Sequence, residues 1–142
     1  MGLHRNLTSN FSPIERETRR RIFWIVRKLD TSVSALLGLP EILSSDDIDQ
    51  ELPLEVDDEF ITRDAVLPMP AGKLSLIAAS NAHTRLMHIL ARVTKYIYPI
   101  QELKQCVQET WKGRIERDLQ EWLGRLPMAL RPGVAGPPEL LR

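Results

Sequence analysis

Between positions 16 and 28 the chain carries six cations, Arg16, Arg19, Arg20, Arg21, Arg27 and Lys28, around the aromatic pair Phe23-Trp24. Dense positive charge attracts phosphate and nuclear-import receptors. The segment from Glu41 to Asp64, however, holds ten acids against Arg63 alone. The two regions are therefore expected to neutralise each other inside one fold, since charge runs are usually solvated or internally paired faces. The acids invite a calcium reading, because hard cations need several converging oxygens. With Asp47 as the first ligand, Leu52 falls where the loop needs its turning glycine, and Asp58 replaces the closing glutamate. The acids are instead expected to act as caps, turn formers or partners of the basic segment. His83 and His88 are five apart and share no helical face, and neither they nor His4 stand in a zinc-ligand motif. Cys106 lacks any nucleophile context and is expected to pack as a small hydrophobe. Neither a phosphate-binding glycine loop nor a GxSxG elbow is present, so no enzyme, cofactor or metal site is expected.

These residues must be positioned by helices. With 142 residues, 43% of them hydrophobic and 27% charged, the chain has the composition of one ordinary globular domain. Nineteen Lys and Arg balance nineteen Asp and Glu, which leaves no global field for steering the chain onto nucleic acid or an anionic membrane. Its apolar runs end well short of the ~20 residues that cross a bilayer, so no membrane association is expected.

Ser12-Pro13-Ile14-Glu15 reads as a capping box with proline at the first helical position. From there Ile22, Ile25, Val26, Leu29, Val33, Leu36 and Leu37 recur every three or four residues, predicting the buried stripe of a central helix that Gly38 and Pro40 end. Phe23 and Trp24 lie off this stripe, so the helix is apolar on more than one side. It is expected either to sit between two layers of a larger array or to offer Arg20, Arg21, Phe23, Trp24, Arg27 and Lys28 as an interaction surface.

From 38 to 72 the periodicity vanishes, and Pro40, Pro53, Pro68 and Pro70 punctuate an acidic segment. Its many apolar residues predict an ordered connector lying against the helices, with a turn or short helix after Ser45. A second helix is expected over 74–98, with Ala82, Leu86, Ile89, Leu90, Val93 and Ile97 inward. A third is expected over 101–126, on Leu103, Val107, Trp111, Ile115, Leu119, Trp122 and Leu126, with Arg114–Asp118 and Glu121–Arg125 pairs outside. The expected architecture is all-α: a partial domain over 1–130 belonging to a larger helical array, then a flexible Pro/Gly-rich tail over 131–142.

An ordered series of landmarks carries a family resemblance. Gly2-Leu3-His4-Arg5, Glu15 with Arg19-Arg20-Arg21-Ile22-Phe23-Trp24, Leu29-Asp30, Leu37-Gly38-Leu39-Pro40, Asp46-Asp47-Ile48-Asp49 and Leu52-Pro53 resemble the central regulatory region of fungal zinc binuclear cluster transcription factors. Leu119 to Pro127 is similar to a later helix and proline of many members. Leu39 departs from the arginine that members often carry there, and the first landmark normally lies well inside the region, so a truncated chain is expected.

The resemblance implies a nuclear regulatory or protein-interaction region that controls transcription without touching DNA. Its implied partners are the remainder of the regulator or other transcription proteins, and a small effector is possible. Zinc would belong only to the missing DNA-binding module, whose six cysteines this chain, with Cys106 alone, does not supply. The runner-up reading from the residues is a stand-alone helical protein that binds a small apolar ligand between its stripes.

Overall fold

In a computed structural model, residues 2–5, 11–97 and 105–133 are described, the side chains of 105–109 excepted. Three long helices occur in the expected order: α1 (Pro13–Leu37), α2 (Leu76–Ile97) and α3 (Gln105–Arg125). The all-α expectation holds: the extended pairing among the described residues is one isolated antiparallel bridge, Ile61 with Val66.

The ends of α1 follow from its local sequence. The Ser12 hydroxyl accepts the Glu15 backbone N–H at 3.3 Å, and the Glu15 carboxylate accepts the Ser12 N–H at 2.9 Å, so two otherwise unpaired donors are satisfied reciprocally. The bond from the Ser12 N–H, with one from the Ser12 hydroxyl, holds the exposed Glu15 carboxyl below its ordinary pKa. At the other end Gly38 takes φ +66° and its N–H returns to the Ser34 carbonyl. A side chain there would meet the steric penalty of the left-handed region, which glycine avoids.

The connector is ordered, as expected, although it contains little repetitive structure. One-turn 3₁₀ helices form at Ser45–Asp47, where Ser44 caps, and at Asp58–Phe60. The second leads into a tight reversal in which Thr62 N–H donates to Ala65 O at 2.9 Å and Leu67 N–H to Phe60 O at 2.7 Å. Irregular backbone can lie against other structure only if its polar groups find partners. Here side chains supply them. The Leu54 N–H donates to Glu17 Oε1 at 3.0 Å, and the N–H groups of Ile42 and Leu43 donate to the Asp30 carboxylate at 3.1 and 3.3 Å. Asn81 Nδ2 donates to the Pro53 carbonyl at 2.8 Å, and Gln50 Nε2 to the Leu3 carbonyl at 2.9 Å.

Helix α2 begins two residues later than its pattern suggested. Asp57 explains the start: its carboxylate accepts the Leu76 N–H at 3.2 Å and pairs with Lys73 at 3.1 Å. Burial opposes ionisation of Asp57, but hydrogen bonds from Lys73, Ser75 and Leu76 together lower its pKa. The expected start of the third helix at 101–104 and its inward Leu103 lie outside the described residues, as do Pro99, the Val107 and Cys106 side chains, and most of the 131–142 tail. After α3, Pro127 stops the helix and Met128–Leu130 makes a 3₁₀ turn. Arg131 then donates to the carbonyls of Leu126 at 3.1 Å and Gly124 at 3.0 Å, satisfying acceptors left open by the helix end.

The chain divides into two compact units, Met1–Asn81 and Ala82–Arg142, with the boundary inside α2. Within the second unit, Trp122 Nε1 donates to the Ala82 carbonyl at 2.7 Å, and Tyr96 stacks on Trp111 with ring centroids 4.2 Å apart. Burial raises the pKa of Tyr96. Ala82, Ile89 and Leu126 are buried, whereas Ile97 and Leu119, expected inward, are exposed. The expected Glu121–Arg125 pair forms at 3.7 Å, but Asp118 pairs with Arg92 at 2.9 Å while Arg114 lies over the Trp111 ring. Aromatic stacking and a cross-helix ion pair thus displace the surface pair predicted between Arg114 and Asp118.

Candidate interaction faces of the first helix

Helix α1 carries two stripes with similar spacing. Glu17, Arg20, Trp24, Arg27, Thr31 and Ser34 advance by three and four residues, and all are buried. At ~100° per residue the aliphatic stripe from Ile22 to Leu37 lies on the opposite side. The expectation that this aliphatic stripe is buried is corrected by the structure. Ile22, Ile25, Val26, Leu29, Val33, Leu36 and Leu37 are all exposed, Leu29 at 60% and Leu36 at 83%.

The buried side is polar because the acidic connector covers it with matching groups. Arg27, 2% exposed, donates through Nη1 to Asp30 Oδ2 and through Nη2 to Glu41 Oε2, both at 3.0 Å. The second oxygen of Glu41 accepts the Thr31 hydroxyl at 2.8 Å. One guanidinium is thereby held between two carboxylates, each also hydrogen-bonded elsewhere. Ion pairing of this kind is what a buried charge requires, although Arg27 Nε is itself buried without a hydrogen-bond partner among the described residues.

Nearly three turns earlier, Glu17 accepts Arg21 Nε at 3.0 Å on the oxygen that also takes the Leu54 N–H. Its other oxygen faces Arg20 Nη1 at 3.9 Å, a distance of attraction rather than of hydrogen bonding. Arg20 pairs with Glu51 of the connector and Arg21 with Asp58. Burial works against the charge on Arg21, but the hydrogen bonds from its guanidinium to Asp58 and Glu17 outweigh it and raise the pKa.

Trp24, 5% exposed, sits among these ion pairs with its indole N–H donating to the Glu51 carbonyl at 2.8 Å. Phe23 packs against it edge to face at a centroid distance of 5.2 Å. Lys28 is half-buried with its ammonium donating to Ser80 Oγ at 2.9 Å, and burial lowers its pKa.

The residues expected to form an interaction surface are therefore brought together, but Arg20, Phe23, Trp24 and Arg27 are interior and all six are engaged or packed within the first unit. The open face is the aliphatic one. Sequence reasoning missed Glu17, Asp30, Glu41 and Asn81 as organising residues. The available signal was the regular spacing of polar residues from Glu17 to Ser34, which a reading by hydrophobicity passes over.

The same arrangement bounds the chemistry. Of the clustered arginines that could contact phosphate, Arg20, Arg21 and Arg27 already have carboxylate partners, Arg19 lies over the Phe11 ring and Arg16 is exposed. Among the described residues no group of three or more His, Cys, Asp or Glu is placed to hold a metal ion, and no helix is long and apolar enough to cross a membrane.

The family described as fungal specific transcription factor domain matches residues 1–124. The chain is 42% identical over 136 residues to Activator of stress genes 1 of Saccharomyces cerevisiae, covering 94% of this chain and 14% of that protein. It is 38% identical over 150 residues to Activator of stress genes protein 1 of Candida albicans, covering 92% and 15%. To Transcriptional activator protein acu-15 of Neurospora crassa it is 32% identical over 132 residues, covering 92% and 14%. The chain thus spans about one-seventh of the length of these curated relatives. No solved structure matches it. The matched residues hold α1, its acidic connector, α2 and all but the last residue of α3, and the chain belongs to the fungal specific transcription factor domain family.

Proposed function

We propose that this chain acts in the nucleus as a regulatory or protein-interaction region in the control of transcription, and does not itself contact DNA or catalyse a reaction. The observation that carries this reading is the engagement of the basic helix by its own acidic connector, in a chain of a transcription-factor family. Nucleic-acid affinity needs cations that can release counterions from phosphate. Arg20, Arg21 and Arg27 are occupied with carboxylates, and their role is architectural. The residues present do not fit the zinc binuclear module of the family, since Cys106 is the single cysteine against the six required. DNA contact would belong to such a module outside this chain.

The interaction surface in this reading is the exposed aliphatic stripe from Ile22 to Leu37 rather than the aromatic pair. Exposed apolar patches of this kind mark docking sites. Its partners are then other parts of the regulator, further copies of it, or other transcription proteins.

Fusion of the chain to an unrelated DNA-binding module tests the proposal. The fusion is expected to change reporter transcription relative to the module alone, and Val26→Asp/Val33→Asp to abolish the change. A folded fusion without effect would refute the reading. So would tight, salt-steep DNA binding by the isolated chain.

A further inference from the structure

The acids of the connector fall into two groups. Glu41, Glu51, Asp57, Asp58 and Glu59 are paired with cations, whereas Asp46, Asp47 and Asp49 are exposed and have no cation partner among the described residues. The unpaired group follows directly on Ser44 and Ser45, both exposed, in backbone that is extended at Ser44 and makes a single 3₁₀ turn over Ser45–Asp47. A hydroxyl on a short exposed turn is open to an enzyme, because such a turn opens at little cost. Carboxylates one, two and four residues beyond Ser45 complement a kinase whose substrate groove is basic.

Ser45 differs from Ser44 in what it touches. The Ser44 hydroxyl accepts the Asp46 N–H within its own turn, at 3.4 Å. The Ser45 hydroxyl accepts from Nη2 of the buried Arg27, also at 3.4 Å, and the same nitrogen donates to Glu41 Oε2 at 3.0 Å. Arg27 Nε is buried and unpartnered among the described residues, so this guanidinium has a donor that Asp30 and Glu41 leave unused. A planar cationic fork of this kind is well matched to a phosphoryl group.

We propose that Ser45 is a phosphorylation site for a serine kinase that selects acidic segments, and that its phosphate exchanges with Glu41 at Arg27. In the transfer, Ser45 Oγ bonds to the γ-phosphorus of ATP while the bond from that phosphorus to the β–γ bridging oxygen breaks. ADP leaves with the electron pair, and the hydroxyl proton passes to the base of the kinase. The product carries a charge of about −1.5 to −2 at neutral pH. Arg27 already holds two carboxylates, so a third anion on the shared Nη2 displaces Glu41. The Glu41 carboxylate, 11% exposed, is then left without a cation beside Asp30 and the phosphate, and like-charge repulsion lifts the segment from Glu41 to Asp47 off α1. Further along, Glu51 and Leu54 are held by Arg20, Trp24 and Glu17 and stay in place. The modification adds a covalent input to the fold, whichever surface docks a partner.

Incubation of the 142-residue chain with such a kinase and ATP, followed by tandem mass spectrometry, tests the site. Phosphate is expected on Ser45, and Ser44→Ala removes the neighbouring hydroxyl so that Ser45 is read alone. In that variant the phosphate should lower Tm by about 4 °C or more. Amide exchange should accelerate over residues 42–48, where Ile42 and Leu43 donate to Asp30, while Leu54 keeps its rate. In a Glu41→Gln background the same phosphate should lower Tm by roughly half as much or less, because no carboxylate remains to be displaced.

No phosphate on Ser45, or phosphate on Ser44 only, overturns the site. A phosphorylated chain whose melting and exchange are unchanged, or whose Tm rises, overturns the release of the connector. An equal loss of Tm in the Glu41→Gln background overturns the exchange at Arg27. Each of these outcomes leaves the regulatory reading standing, since the reporter fusion decides that separately.

Discussion

Arg27 and Glu41 meet at 3.0 Å beneath the acidic connector, fourteen residues apart in sequence, with side chains 2% and 11% exposed. The contact ties the polar face of α1 to the chain that leaves its C-terminal end. Because Asp30 flanks the same guanidinium, removing the cation would leave two carboxylates facing each other in a desolvated site.

Arg27→Met is therefore expected to destabilise the fold by about 3–5 kcal/mol, the range for breaking a buried pair by deleting one partner. The combined Arg27→Met/Glu41→Met change should cost less than the sum of the two singles, because the orphaned charge is also removed. Urea midpoints at constant m-value measure both quantities.

For Trp24 the prediction separates packing from hydrogen bonding. Trp24→Phe keeps most of the ring contact with Phe23 but strands the Glu51 carbonyl, and should cost about 1–3 kcal/mol. Trp24→Ala also opens a cavity and should cost about 3–5 kcal/mol. Equal losses in the two variants would show that the indole N–H, not the ring, holds the connector.

The inverted burial of α1 predicts an inverted mutational pattern. In dilute solution, where association contributes nothing, Leu36→Gln should stay within about 0.5 kcal/mol of the wild type, as for other exposed sites. Thr31→Ala, which deletes the hydroxyl donor to Glu41, should cost about 1–3 kcal/mol although the residue is smaller and polar. Thermal unfolding of the pair reads the order directly, and the reverse order would place the aliphatic stripe inside.

Asp57 predicts the direction of an acid response. Its pKa is lowered in the folded chain, so the unfolded chain binds the proton more tightly. Its contribution to stability is then present above the ordinary carboxylate range and is lost as pH falls through the lowered folded value. Asp57→Asn should accordingly melt below the wild type at neutral pH, with the gap closing towards the acid end. Melting temperatures measured across that range check the sign.

At the end of α1, Gly38→Ala should destabilise by roughly 1–2 kcal/mol, the cost of forcing a side chain into the left-handed conformation. The Ser12→Ala change at the other end should cost about 1 kcal/mol through the lost cap. Chemical denaturation of each single variant provides the comparison.

What the sequence determined by itself is local. The Ser12–Glu15 box, Gly38 at the end of α1 and Pro127 after α3 act within one turn of the backbone, so helix existence and most boundaries were legible from residues three or four apart. The family landmarks were legible too, because they are an ordered string of residue types. Tertiary structure decided which side of α1 is inside. Two stripes of similar period run along opposite sides of that helix, and hydrophobicity favours the aliphatic one. The polar one is buried instead because Glu41, Glu51 and Asp58 and the backbone of residues 42–56 return to it, supplying carboxylates, carbonyls and N–H donors that match Arg27, Arg20, Arg21, Trp24, Asp30 and Glu17. Those partners stand between twelve and thirty-seven residues away in the chain. A polar side chain's burial depends on such partners being present, and spacing within one helix carries no information about them.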